Sequence, residues 1–192
     1  MKKILVIDNY DSFVYNIVQI LCEDKSAPQV DVVRNTDIPF DTLCSYDGIV
    51  LSPGPSVPSQ AGELNRAIAC VLANRQPVLG ICLGHQALAE AFGAKLQQMP
   101  APLHGHRSTL RITDSDDLLF RGMTSAKVGR YHSWVVAHED FPPQLRISSL
   151  DESGLIMSFY HPTLPVHGVQ FHPESIITER GEEMIRRWIE SL

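Results

Sequence analysis

The chain has 192 residues and a net charge of −6 at pH 7, with 44% hydrophobic and 20% charged residues. That length supports one domain with a sizeable core, and that balance is typical of a soluble globular protein. The acidic balance, without any basic stripe or aromatic–basic interleaving, argues against a nucleic acid or an anionic membrane as partner. Cys22, Cys44, Cys70 and Cys82 show neither C-x-x-C spacing nor a disulfide framework, which fits a reducing compartment. The N-terminal apolar run is too short for a signal peptide and no run is long enough to span a bilayer. The expected location is therefore the cytoplasm.

Ile4 to Ile7 form an apolar run of the kind that makes a buried strand, ending in Asp8. The polar turn Asn9-Tyr10-Asp11-Ser12 carries N-cap chemistry and leads into helical spacing from Phe13 to Cys22. Val30–Val33 and Gly48–Leu51 read as further strands, the latter stopped by Ser52-Pro53-Gly54-Pro55-Ser56-Val57-Pro58. Glu63 to Asn74 has helical period, Val78 to Ile81 is again strand-like, and Ala87 to Phe92 is helical with Gly93 as stop. From Lys95 onward, short β-like runs alternate with turns at Ser108–Ile112, Ala126–Tyr131, Leu145–Ser149, Leu155–Tyr160 and Val166–Phe171. Glu179 to Leu192 is expected to close the chain as an amphipathic helix. The expected fold is a single α/β domain over residues 1–192. It has an open, mostly parallel sheet with helices on both faces and a short antiparallel or mixed β extension in its second half. Ligands bind beyond the C-terminal strand ends of such sheets, where Asp8, Ser52-Pro53-Gly54 and Cys82 all fall.

Cys82 is flanked at i−2 and i+2 by Gly80 and Gly84, at a junction from strand to helix. Such a corner is the thiol version of a nucleophile elbow, with glycines clearing space for the neighbouring backbone. The N–H groups of the following helix favour a thiolate, and the Leu83 N–H would point at an oxyanion formed there. Far along the chain, His172 and Glu174 are two residues apart, so on an extended strand their side chains leave on the same side. A carboxylate there accepts Nδ1–H and fixes the tautomer, freeing the other nitrogen to act as base toward a thiol. His104 and His106 add no recognised metal-ligand spacing.

Taken together, Gly80-Ile81-Cys82-Leu83-Gly84-His85-Gln86, Phe171-His172-Pro173-Glu174-Ser175 and Ser52-Pro53-Gly54-Pro55 resemble the class I (triad) glutamine amidotransferases. Asp8-Asn9-Tyr10-Asp11-Ser12-Phe13-Val14-Tyr15-Asn16 and Tyr131-His132-Ser133 narrow the resemblance to one branch, which serves as component II of anthranilate and aminodeoxychorismate synthases. The resemblance runs from Ile4 to Trp188. It implies Cys82 as nucleophile, His172 as acid and base, Glu174 as its orienter, and Gly54 and Leu83 as oxyanion-hole donors. It further implies a glutamine site formed by Gly54, Pro55, Ser56, Gln86, Ser133 and Trp134. No metal or cofactor is implied on this chain, and the implied partner is a chorismate-using synthase component I. A stand-alone γ-glutamyl cysteine hydrolase would use the same elbow and triad.

Three positions depart from the family pattern: Ser56 where glycine is usual, His106 where lysine is common and Trp134 where leucine is common. If position 56 needs positive φ, serine there is strained. His85 is expected to pack locally, and His138, His161 and His167 to be structural. Cys22 and Cys70 are expected in the core, Trp188 on a packed helix stripe, and Asp8 and Asp11 in turn roles.

Overall fold

The computed structural model describes residues 1–192. In chain order the first half contains β1 (Lys3–Asp8), α1 (Val14–Cys22), β2 (Gln29–Arg34), β3 (Gly48–Leu51), α2 (Leu64–Ala73), β4 (Val78–Ile81) and α3 (Leu83–Ala91). The second half contains β5 (Leu96–Gln98), β6 (His106–Ile112), β7 (Ser125–Arg130), β8 (Trp134–Val136), β9 (Arg146–Leu150), β10 (Ile156–Tyr160), β11 (Val166–Val169) and α4 (Gly181–Glu190). Nine strands form one sheet in the order β2-β1-β3-β4-β11-β10-β9-β6-β7, while β5 and β8 pair separately. The strands β2, β1, β3, β4 and β11 run parallel, and the remaining pairings are antiparallel.

Period-two alternation explains why the sheet is covered on both faces. Ile4 and Val6 of β1 join the core cluster that holds α1 and α4, with Ile17, Met184, Ile185 and Trp188. Leu5 and Ile7 point the other way, into the cluster of α2 and α3, with Ile68, Val71, Ala87 and Leu88. Each such large apolar side chain, fully buried, contributes roughly 1.5–3 kcal/mol. Trp188 is 1% exposed and packs in the stripe expected of it.

β11 joins the two parts of the sheet: it lies antiparallel to β10 on one side and parallel to β4 on the other, with Val169 opposite Ile81. Pairing of strands so far apart along the chain is set by the sheet's topology, which local patterning does not encode. Its consequence is functional, because the chain leaving β11 emerges next to Cys82, whose N–H donates to Val169 O at 2.8 Å. Two smaller corrections concern the cysteines: Cys22 is exposed and Cys70 half-buried, so neither is in the core. No helix is long and apolar enough to cross a membrane.

Candidate active site

β4 ends in a sharp corner. Cys82 has φ 52° and ψ −100°, a backbone conformation that β-carbon-bearing residues avoid. Such strain is of the order of 1–3 kcal/mol and persists only where the surroundings over-determine it. Here the over-determination is visible. A β-carbon on Gly80 would sit 2.6 Å from Gly84 C, and one on Gly84 would sit 2.6 Å from Leu51 Cβ. Only glycines let α3 start so close to β3 and β4. The helix begins at Leu83, earlier than its Ala-rich segment suggests, so the thiol lies at the N-terminal end, where the first-turn N–H groups favour negative charge.

His172 and Glu174 do not lie on a strand. β11 stops at Val169, and a turn closed by Ser175 N–H to His172 O (3.2 Å) brings the two side chains together. The turn is pinned to β7, because His172 N–H donates to Gly129 O at 3.0 Å and Thr178 Oγ1 donates to His172 O at 2.6 Å. His172 Nδ1 and Glu174 Oε1 are 2.7 Å apart, with both side chains essentially buried. The rings of Phe13 and Tyr131 pack on the imidazole, with centroids 5.2 and 4.9 Å away.

His172 Nε2 makes no well-formed hydrogen bond in the free chain, yet the Cys82 sulfur is close enough to interact with it. Burial opposes charge on this imidazole, but Cys82 and Glu174 outweigh burial and hold its pKa well above the usual 6.5. The residues thus favour an imidazolium beside the sulfur.

Cys82 opens onto a cavity of about 360 Å³ lined by Gly54, Pro55, Ser56, Gln86, Ser133 and Trp134, with Leu103 and Tyr131 beside them. This volume suits a small ligand. Gly54 lines this cavity, and a β-carbon on it would meet the Leu83 side chain at 2.6 Å. A larger groove of about 720 Å³ runs behind Glu174 between α1 and α4, but Cys82 does not line it. Cys82 therefore faces the smaller cavity.

Sequence reading missed the residues that hold this cavity in shape. Asn9 is 1% exposed; its N–H donates to Ser52 Oγ at 2.8 Å and its Nδ2 to Ser52 O at 2.9 Å, anchoring the loop that carries Gly54. Asp8 and Asp11 accept the N–H groups of Tyr10 and Phe13, respectively, as turn residues; no side chain caps α1. Ser56 adopts φ 66°, a conformation suited to glycine, and its hydroxyl donates to Gln60 Oε1 at 2.5 Å. On the opposite wall, buried Arg130 pairs with Asp151 and donates from Nε to His132 Nε2 at 3.0 Å. Burial, then the nearby Arg130 charge, pushes the His132 pKa down to about 3. Neutral His132 carries its proton on Nδ1, which donates to Trp134 O at 2.9 Å.

Four other histidines lie apart from this chemistry. His85 is wholly buried against Phe159, and burial pushes its pKa down to about 3. His138 bonds to Gly154 O, and His161 Nδ1 accepts the Thr163 and Leu164 N–H groups. His167 has an acidic partner that sequence spacing did not reveal, Asp117 at 3.0 Å and 50 residues away. No three His, Cys, Asp or Glu side chains are grouped as a metal site.

A strained cysteine at a strand-to-helix corner beside a buried His–Glu pair suits nucleophilic attack by a thiolate. The model of the family "Glutamine amidotransferase class-I" matches residues 5–192, and the chain belongs to that family. Anthranilate synthase component 2 of Mycobacterium tuberculosis (strain ATCC 25618 / H37Rv) is 41% identical over 192 residues, covering 97% of this chain and 81% of the relative. Aminodeoxychorismate/anthranilate synthase component 2 of Bacillus subtilis (strain 168) is 41% identical over 191 residues, covering 98% and 96%. Among solved structures, a Thermoplasma acidophilum protein assigned to GMP synthase superposes with TM-score 0.84 at 26% identity, covering 99% of this chain and 93% of that one. A glutamine amidotransferase from Thermotoga maritima superposes with TM-score 0.77 at 19% identity, covering 99% and 81%, and shares the fold.

Proposed function

We propose that this chain is the glutamine-hydrolysing subunit of a chorismate-aminating synthase, producing anthranilate, aminodeoxychorismate or both with a component I partner. The observation that carries the chemistry is the Cys82 elbow opening onto the small cavity beside His172 and Glu174. The partner assignment rests on the relatives named above.

The Cys82 thiolate attacks the side-chain carboxamide carbon of glutamine, forming a C–S bond. The N–H groups of Leu83 and Gly54 receive the oxyanion. The His172 imidazolium, steadied by Glu174, gives its Nε2 proton to the leaving nitrogen, the C–N bond breaks and ammonia departs. Water, deprotonated by His172, then attacks the γ-glutamyl thioester. The C–S bond breaks, glutamate leaves and the thiolate returns. Gln86, Ser133, Trp134 and the Gly54-Pro55-Ser56 backbone hold the amino-acid end. No step calls on a group beyond side chains, backbone and water.

Ammonia free in neutral water becomes mostly ammonium and loses its nucleophilicity, so release must be coupled to an acceptor. Glutamate release by the chain alone, with component I, and with component I plus chorismate tests the proposal. The expected order is slow, faster, fastest. High and equal rates in all three conditions would favour a stand-alone γ-glutamyl hydrolase instead.

A further inference from the structure

Gln170, the first residue after β11, has no role in the mechanism above, yet its side chain is fully buried against the nucleophile. The β4–β11 register sets position 170 beside position 82, and Gln170 Nε2 lies 3.7 Å from Cys82 Sγ. An amide can be turned either way, so the identity of the atom facing sulfur needs an independent argument. The surrounding bonds supply it.

Trp134 O is a backbone carbonyl and only accepts. The Gln86 atom 2.9 Å from it is therefore the amino nitrogen. The same nitrogen lies 3.0 Å from Gln170, so the Gln170 atom there is the oxygen. The Gln170 amino group is left facing sulfur. Turning the amide over would set two amino groups together and an oxygen against the thiolate, losing both contacts. Behind Trp134 O stands neutral His132, whose Nδ1–H donates to the same carbonyl and whose Nε2 accepts from Arg130 Nε. Trp134 O thus takes two donors, His132 Nδ1–H on the Arg130 side and Gln86 Nε2–H on the side of Gln170.

We infer that Gln170 donates an N–H to the Cys82 thiolate, its carboxamide aimed there by Gln86, so that the sulfur is held from a second direction besides His172. A hydrogen bond of this kind stabilises the charged sulfur and fixes its side chain toward the cavity. The inference rests on Cys82 being the nucleophile, and its test separates the two.

Alkylation of Cys82 by iodoacetamide is followed by peptide mass from pH 5.5 to 9, with exposed Cys22 and Cys44 as references inside the same molecule. Wild type is compared with Gln170→Met, which removes the donor at similar volume. A second variant, Gln170→Glu, keeps an acceptor for Gln86 but turns a carboxylate oxygen toward sulfur. Cys82 alkylation at pH 7 is expected to fall about threefold to tenfold in Gln170→Met and further in Gln170→Glu. The profile should move to higher pH, with Cys22 and Cys44 unchanged. Wild type carries an independent readout: the Gln170 side-chain amide signals in nitrogen-15 spectra should shift as Cys82 titrates, and stay fixed in Cys82→Ser. An unmoved profile in both variants, or amide signals indifferent to Cys82, overturns this inference while leaving the nucleophile intact. If wild-type Cys82 is no more reactive than Cys22 or Cys44, both readings fail.

Discussion

Acid should weaken this protein through two histidines that are buried neutral, and the size of the effect follows from their surroundings. Burial pushes His85 from 6.5 to about 3, and burial with the Arg130 charge does the same to His132. A histidine with a depressed folded pKa binds fewer protons folded than unfolded. Its contribution is present above 6.5 and lost as pH falls toward 3. Between pH 7 and 5.5 each one should cost roughly 1 kcal/mol. His172 has the opposite sign. Its folded pKa is raised, so its contribution is complete below 6.5 and is lost as pH climbs through the folded value. On acidification it returns less than either of those losses, because the unfolded histidine also takes up protons in this window, so the net remains a loss. Stopping at pH 5.5 keeps most carboxylates out of the window. Urea unfolding at pH 7 and 5.5 measures the net, and His85→Leu isolates one component: its loss over this window should be smaller than the wild-type loss by roughly 1 kcal/mol. If His85→Leu lost as much stability between the two pH values as wild type does, the buried-neutral assignment would be refuted.

Three further outcomes follow from the geometry. Gly84→Ala must push Leu51 and the elbow apart, so it should cost about 2–4 kcal/mol by thermal or urea unfolding and abolish glutamine use. His172→Ala should lower glutamine-dependent turnover by about three orders of magnitude or more, whereas Glu174→Gln should cost less because it orients rather than transfers the proton. Near-wild-type turnover in His172→Ala would remove His172 from the mechanism. Ser56→Gly gains freedom at φ 66° but loses the bond to Gln60 and adds unfolded-state entropy, so stability should change by less than about 1 kcal/mol; a larger change in urea unfolding contradicts that balance.

Much of the fold is legible in local pattern because each half-buried element carries its own period. β3 and β4 are runs of four buried residues, and α4 shows its stripe directly. The pairing of β11 with β4 is not legible, since a strand of only four residues fits several neighbours equally well. The same limit applies to the site. Gly80, Cys82 and Gly84 announce a corner, and His172 with Glu174 suggests an oriented base, but the extended geometry expected of that pair is replaced by a turn. Asn9, Arg130 and Gln170 act through partners 43, 21 and 88 residues away, distances at which spacing carries no information. The positive φ at Ser56 is the reverse case. The departure from glycine is visible in sequence, and the backbone shows why glycine suits the position.

The mechanism depends most on Cys82 being the residue that attacks glutamine. Treating the native protein, with its component I, with a diazo-ketone analogue of glutamine and mapping the adduct by peptide mass tests this directly. One adduct per chain is expected, on Cys82, blocked by excess glutamine and accompanied by loss of glutamine-dependent but not ammonia-dependent product formation. Labelling of Cys22, Cys44 or Cys70 while Cys82 stays free, or full glutamine use after Cys82 is labelled, would contradict it.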